Sequence, residues 1–130
     1  MCLVMWMMKY PGNNKRLGTA FEKEFCELLA KKGWWVHFLA PSASGGQPFD
    51  VIAVKDGSAM AFDCKTSVSH IFPYTRLEDN QICAFEKWLA CGNEDPYIAV
   101  KYNDNIYLIK YRRLKVYERI DLDRETPCKA

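Results

Sequence analysis

Three side chains stand where the chain could hold a divalent metal ion: Asp50, Asp63 and Lys65. The dipeptide Asp56-Gly57 lies between two apolar runs, and this setting predicts a two-residue turn joining antiparallel strands. If the flanking residues pair in order from that turn, Asp50 stands directly opposite Asp63. Directly opposed Cβ atoms are about 4.5–5.5 Å apart, so the sequence predicts two carboxylates that meet across a hairpin.

Two carboxylates at this distance repel each other, and the repulsion raises at least one pKa unless a cation lies between them. Mg²⁺ is suited to the position because it binds carboxylate oxygens and keeps several waters. Side chains alternate along a strand, so Lys65 projects on the same face as Asp63, while Phe62 and Cys64 project on the other. An ammonium there can orient a water and stabilise charge on a phosphate. The alternative is a surface ion pair between Lys65 and either aspartate.

The hairpin belongs to a predicted element order of α-β-β-β-α-β-β. The first helix carries an apolar stripe of Phe21, Phe25, Leu28 and Leu29 at helical spacing. The predicted elements are a helix that follows Asn13-Asn14 and ends at Gly33, strands at 34–39, 50–54 and 59–65, a helix at 77–91, and strands at 97–102 and 106–111, with loops at 40–48 and 66–76. This order predicts an α/β (α+β) domain with a central mixed five-stranded sheet flanked by helices.

Length and composition predict one globular domain, because 130 residues with 49% hydrophobic content can build a single core. We expect residues 1–14 to be an N-terminal extension and residues 121–130 to be a frayed tail. The apolar segment 1–8 lacks a basic start and a cleavage site and is too short to span a bilayer, so no membrane role is predicted. The six cysteines contain no CxxC pair and there are only two histidines, so zinc-finger spacing is absent. The cysteines within predicted helices and strands are interpreted as small apolar residues in a reducing cytoplasm.

The net charge of +2 does not by itself indicate a nucleic-acid partner, but the basic residues are clustered. One basic segment runs from 101 to 119, and a second cluster comprises Lys9, Lys15, Arg16, Lys23, Lys31 and Lys32. Such clusters are compatible with phosphate contact, with an ordinary solvated surface as the alternative. Within the second cluster, Lys15 and Arg16 are the predicted DNA contacts. His37 and His70 are interpreted as structural.

The order Asp50, short hairpin, Asp63-Cys64-Lys65 resembles the PD-(D/E)xK nuclease signature. The surrounding segments resemble the archaeal-type Holliday junction resolvases from about residue 15 to residue 111. The resembling segments are Gly18-Thr-Ala-Phe-Glu22 in the first helix, Ala40-Pro-Ser-Ala-Ser-Gly-Gly46 in the loop, Phe49-Asp-Val-Ile-Ala53 in the first metal-binding strand, Asn80-Gln-Ile82 in the second helix and Pro96-Tyr-Ile-Ala-Val-Lys101 in the following strand. The resemblance implies a restriction-endonuclease-like core.

The resemblance also implies a role for each matched residue. Asp50 and Asp63 would hold Mg²⁺ or Mn²⁺, with Glu22 as a further ligand, directly or through water. Asp63 stands where the family usually carries glutamate. Lys65 would position the attacking water, and Gln81 would support the site from the second helix. Ser44 in the loop would contact the DNA backbone, with a turn residue as the alternative. Outside the matched segments, Arg76 is a further candidate for phosphate contact, with an ordinary exposed loop arginine as the alternative.

The function that the resemblance implies is paired phosphodiester hydrolysis in four-way DNA junctions by a homodimer. Such an enzyme would act in the cytoplasm, or in a host cytoplasm if the chain is viral. One alternative is another PD-(D/E)xK nuclease that acts on duplex or flap DNA. The other is a non-catalytic DNA-binding module of the same fold, because a fold does not fix a substrate or an activity.

Overall fold

A computed structural model describes residues 16–39 and 49–129 of the chain. The elements are α1 (Arg16–Lys31), β1 (Trp35–Phe38), β2 (Val51–Lys55), β3 (Ser58–Thr66), β4 (Ile71–Pro73), α2 (Asp79–Ala90), β5 (Tyr97–Tyr102), β6 (Asn105–Lys110), α3 (Tyr111–Tyr117) and β7 (Arg119–Asp121), with 3₁₀ turns at Tyr74–Arg76 and Leu122–Arg124. The seven predicted elements occur in the predicted order. The predicted extension 1–14 and the predicted loop 40–48 lie outside the described residues. Among the helices of the described ranges, none is long and apolar enough to cross a membrane.

Five strands form one mixed sheet in the order β1-β2-β3-β5-β6, and β4 and β7 form a separate two-stranded ribbon. Within the large sheet β3 and β5 are parallel, while the other neighbours are antiparallel. A parallel pair needs a crossover connection, and α2 lies in the segment that provides it. The predicted central mixed five-stranded sheet is therefore confirmed.

The β2–β3 hairpin has the register that the Asp-Gly turn predicts. The turn residues Asp56 and Gly57 both have positive φ, 53° and 80°, as a type I′ turn requires. The paired ladder ends where Val51 faces Phe62. Asp50 is therefore the first residue beyond the paired part of β2, at the end of the hairpin opposite the turn.

The two faces of the sheet are covered by different helices. The α1 helix covers one face, where the ring centroids of Phe25 and Phe62 lie 5.0 Å apart. The other face packs against α2 and α3, and there the ring centroids of Phe85 and Tyr111 lie 4.8 Å apart. Successive residues of β3 point to opposite faces, so Phe62 enters the α1 core and Asp63 points toward α2.

The C-terminal region differs from the prediction in two ways. The predicted strand 106–111 ends at Lys110, because Tyr111 begins α3, and the predicted loop 66–76 contains β4, which pairs with β7. The expectation of a frayed tail at 121–130 is wrong for its described part. Leu122 is fully buried, and the guanidinium of Arg113 contacts the carboxylate of Glu125 at 2.6 Å. Leu122 belongs to the core on the α2 side, whereas Cys128 packs against the core on the α1 side.

Candidate active site

Backbone hydrogen bonds fix Asp50 at the end of β2. Its N–H donates to the carbonyl of Phe62 at 3.0 Å, and its carbonyl accepts from the N–H of Leu39 at 2.8 Å. Its carboxylate oxygen Oδ2 accepts from the backbone N–H of Cys64 at 2.8 Å. The side chain thus turns toward β3 and places its charge next to Asp63, as the hairpin register predicts.

Asp63 is a fully buried carboxyl group in the middle of β3, with no exposed surface. Burial raises the pKa of Asp63 well above its usual range, the carboxylate of Asp50 raises it further, and the ammonium of Lys65 opposes both effects. The direction agrees with the prediction for the acid pair, but burial, and not the charge of Asp50, is the largest cause.

Gln81 ties the site to the start of α2. Its amide nitrogen Nε2 donates to Oδ1 of Asp63 at 2.9 Å. Its amide oxygen Oε1 accepts from Nζ of Lys65 at 3.2 Å and from the backbone N–H of Glu78 at 2.9 Å. The structure thus brings together Asp50, Asp63, Lys65 and Gln81, as predicted.

Lys65 lies in a half-enclosed position between two acceptors. Its Nζ lies 3.3 Å from Oδ2 of Asp63, an ion-pair distance, and its side chain is 16% exposed. This pair is not the surface ion pair that was the alternative interpretation, because Asp63 is buried. Despite the nearby ammonium, Oδ2 of Asp63 accepts no well-formed hydrogen bond from the described residues.

The donor set fits a hard divalent ion. A buried carboxylate oxygen without a hydrogen bond is costly, and a cation beside it would remove that cost. Oδ2 of Asp63 has an ion-pair contact with Lys65 at 3.3 Å but no hydrogen bond, and the charge of Asp50 acts on the same carboxyl group. These two aspartates could therefore hold a metal ion of the kind that prefers oxygen ligands.

Glu22 reaches this region from α1, on the other face of the sheet. It is half-buried, and its charge and that of Asp50 both act on the thiols of Cys26 and Cys64. Burial, followed by Glu22 and Asp50, raises the pKa of Cys26 to about 12. Among the described residues, however, Glu22 does not form a three-ligand group with Asp50 and Asp63. Its role as a metal ligand, directly or through water, stays a prediction.

The predicted DNA contacts are placed only in part. Ser44 and Lys15 lie outside the described residues, and Arg16 begins α1 without a described side chain. Arg76 is exposed, but its guanidinium donates to the carbonyl of Thr66 at 2.9 Å and lies 5.1 Å from the ring of Phe72. The contact of each of these residues with phosphate stays a prediction.

A second polar cluster, formed by His70, Asp121 and Asp123, joins the start of β4 to the end of β7. Nδ1 of His70 lies 2.9 Å from Oδ1 of Asp121 and 3.6 Å from Oδ2 of Asp123. One ligand atom from each of the three side chains lies within 4.8 Å of the others, a spacing that a metal ion could use. The ion pair between His70 and the aspartates explains the same spacing without a metal ion. The sequence gives no signal for this cluster, because His70 is 51 positions from Asp121. The structural interpretation of His70 is consistent with this ion pair.

The mixed five-stranded sheet, with an acid pair and a lysine at the end of its β2–β3 hairpin, defines an α+β domain whose architecture is consistent with a restriction-endonuclease-like fold. The model of the archaeal Holliday junction resolvase (Hjc) family matches residues 13–129. The chain therefore belongs to the archaeal Holliday junction resolvase family.

Two similar proteins accompany the family match. The crossover junction endodeoxyribonuclease Hjc of Methanocaldococcus jannaschii is 31% identical over 94 residues, which cover 72% of this chain and 65% of the relative's own length. The structure of Archaeoglobus fulgidus Hjc, a Holliday junction resolvase, has a TM-score of 0.59 at 18% identity and covers 73% of each chain. The structural match supports the fold.

Proposed function

We propose that this chain is a metal-dependent DNA endonuclease that resolves four-way junctions by paired phosphodiester hydrolysis. Family membership and the activity named for the Methanocaldococcus relative support the reaction class. The observation that carries the proposal is the buried Asp63, whose Oδ2 has no hydrogen bond although Asp50 and Lys65 lie beside it. A structural core gains nothing from this arrangement.

The residues that would hold Mg²⁺ or Mn²⁺ are Asp50 and Asp63, with Glu22 as a further ligand, directly or through water. A divalent ion, when bound, supplies a Lewis acid that activates water and neutralises phosphate charge. Asp63 is suited to this role because Gln81 occupies only Oδ1, while Oδ2 has the ion-pair contact with Lys65 but no hydrogen bond.

Lys65 provides the group that positions the nucleophile. An ammonium has three N–H donors. Nζ of Lys65 lies 3.3 Å from Oδ2 of Asp63 and 3.2 Å from Oε1 of Gln81, so these two oxygens face two of the donors. The remaining donor can hold the attacking water or a phosphate oxygen at the partly open side of the residue. Hydrolysis forms a bond between the water oxygen and phosphorus and breaks the bond to the 3′ oxygen. The products are a 5′-phosphate and a 3′-hydroxyl.

The partner is DNA with a four-way junction, and the assembly is a homodimer whose two sites cut symmetric strands in the cytoplasm. A twofold axis suits a substrate with paired cut sites, because each subunit then presents the same groups to equivalent strands. Ser44, Lys15, Arg16 and Arg76 are the proposed backbone contacts. Binding that depends on phosphate contacts weakens steeply as the salt concentration rises.

The experiment is cleavage of a labelled four-way junction with Mg²⁺, with and without chelator, by the wild type and by Asp50→Asn. The control is Asp56→Asn, which makes the same chemical change at the exposed tip of the same hairpin. We expect cleavage by the wild type and by the control in Mg²⁺ alone, and binding without cleavage by Asp50→Asn. Cleavage by Asp50→Asn at the wild-type rate would remove Asp50 from the mechanism.

The alternative functions are outcomes of the same assay. Parallel reactions with linear duplex and flap DNA separate a junction resolvase from another nuclease of this fold. Binding to every substrate with no Mg²⁺-dependent cut would indicate a non-catalytic DNA-binding module and would contradict the proposal.

A further inference from the structure

The start of α2 interlocks with the side chain of Gln81. Glu78 is the N-cap residue, and its side chain accepts a hydrogen bond from the backbone N–H of Gln81. In return, Oε1 of Gln81 accepts from the backbone N–H of Glu78 at 2.9 Å. This reciprocal arrangement is a capping box, which satisfies two backbone donors at a helix start. Here one of its members also contacts the proposed active site.

The orientation of the Gln81 amide decides what it offers to the site. In the observed orientation Nε2 donates to Oδ1 of Asp63, and Oε1 accepts from Nζ of Lys65. A rotation by half a turn would place an oxygen against the carboxylate and an NH₂ group against the ammonium. A backbone N–H can only donate, so the N–H of Glu78 stabilises the orientation in which Oε1 faces it.

We propose that Glu78 is a positioning residue for the active site. Its backbone N–H holds the amide of Gln81 in the orientation in which Nε2 donates to Asp63 and Oε1 accepts from Lys65. The capping box of α2 is thereby a second support for the catalytic lysine. The kinetic part of this inference rests on the proposed endonuclease function, whereas its spectroscopic part does not.

Glu78→Pro removes the donor with little strain. Glu78 has φ −83° and Leu77, which precedes it, is extended with φ −87° and ψ 136°. Both values suit a proline and the residue before a proline. The substitution deletes the N–H that donates to Oε1 of Gln81 and leaves Gln81 itself unchanged. It also deletes the capping carboxylate of Glu78, and Glu78→Ala, which is expected to keep the kcat of the wild type, measures the effect of that loss alone.

The matched control is Asp79→Pro, one residue further along. Asp79 is the first residue of α2, the position where proline is favoured because its N–H has no partner within the helix. The control also exchanges an exposed acidic residue for proline, but it keeps the donor to Gln81. Glu78→Ser is the conservative variant, since it retains the N–H and a good capping side chain.

For cleavage of the four-way junction in Mg²⁺, we expect Glu78→Pro to lower kcat roughly fivefold to tenfold, the effect of losing one hydrogen bond. KM is expected to change less than about twofold, because substrate binding does not use this donor. Asp79→Pro and Glu78→Ser are expected to keep the kcat of the wild type. Combining Glu78→Pro with Gln81→Met is expected to lower kcat no further than Gln81→Met alone, because both changes act through the same amide.

The second measurement uses the metal-free protein and NMR. The side-chain amide of Gln81 is expected to give one pair of dispersed proton signals in the wild type, in Asp79→Pro and in Glu78→Ser. The pair is assigned by its absence from the spectrum of Gln81→Met. In Glu78→Pro these signals are expected to broaden or lose dispersion. In Gln81→Met, hydrogen exchange of the Glu78 backbone amide is expected to accelerate at least about tenfold, because its acceptor is gone.

Two results would overturn the inference: equal kcat for Glu78→Pro and Asp79→Pro, or an exchange rate of the Glu78 amide that Gln81→Met does not change. The exchange measurement decides the matter even if Glu78→Pro fails to fold. If the wild type cuts no DNA, the proposed function fails, while the NMR measurements still test the orientation of the amide.

Discussion

Asp50→Asn should stabilise the metal-free protein, although it removes a charged residue from the proposed active site. The substitution removes the repulsion between two carboxylates, and the oxygen of asparagine can still accept the hydrogen bond from Cys64. Two unit charges about 5 Å apart interact by about 3 kcal/mol at an effective dielectric constant of about 20. This interaction energy is an upper limit, because the raised pKa of Asp63 favours its uncharged form, so we expect a gain of up to about 3 kcal/mol in the free energy of unfolding. The gain corresponds to roughly 4 °C in Tm per kcal/mol.

The gain in stability from Asp50→Asn should be larger at high pH than at low pH. Burial and the Asp50 charge raise the pKa of Asp63 in the folded protein. The stability that Asp63 contributes is therefore fully present below its ordinary pKa of about 3.9, and it is lost as pH rises through the raised value. Removal of Asp50 reduces this loss, so the difference in Tm between Asp50→Asn and wild type should be larger at about pH 8 than at about pH 5.

The assay is thermal unfolding in chelator at both pH values, with Asp56→Asn as the control. Asp56 has φ 53° at the turn, a conformation that asparagine adopts as readily as aspartate, so the control changes net charge without strain. Added Mg²⁺ should raise the Tm of wild type and of the control more than that of Asp50→Asn. A Tm of Asp50→Asn at or below that of the control at both pH values would refute the argument from repulsion.

Three further predictions concern other residues. Lys65→Met should abolish junction cleavage and keep binding in a gel-shift assay with chelator; retained cleavage would exclude the amine from catalysis. His70→Asn should destabilise the protein only at lower pH, because the hydrogen bond to Asp121 raises the pKa of His70. That stabilisation is present below about 6.5 and lost as pH rises through the raised value, so a Tm difference that does not change with pH would contradict it. Leu122→Ala should cost about 2–5 kcal/mol in urea unfolding, whereas a frayed tail would give no change.

The sequence predicts the β2–β3 hairpin well because the information is local. Asp56 and Gly57 fix the turn, the turn fixes the register, and the register brings Asp50 to Asp63. The burial of Asp63 was not predicted, since it depends on α2 and on the parallel pairing of β3 with β5. The contact of Gln81 with the site was expected through the family resemblance alone, because no local pattern links a helix residue to a strand eighteen positions away.

The β4–β7 ribbon and α3 were missed for two physical reasons. The ribbon joins segments distant in sequence, and each strand has three residues, too few for an alternating pattern to stand out. The α3 helix has seven residues, and its apolar face consists of Tyr111 and Leu114. Such a short stripe does not distinguish a helix from the end of a strand. The polar composition of the tail hid Leu122, which is buried by tertiary packing.

Consecutive residues of β3 point to opposite faces of the sheet, so the β2–β3 hairpin should tolerate changes of length at its turn but not within β3. Phe62 fills the hydrophobic core on one side while Asp63 serves the proposed chemistry on the other. Inserting or deleting one residue of β3 between the turn and Phe62 would reverse which of them faces the α1 core, so folding and the proposed chemistry would fail together. Extra residues at the Asp56-Gly57 tip would leave every paired position in place. Natural indels in relatives should therefore accumulate at the tip and be purged from the strands.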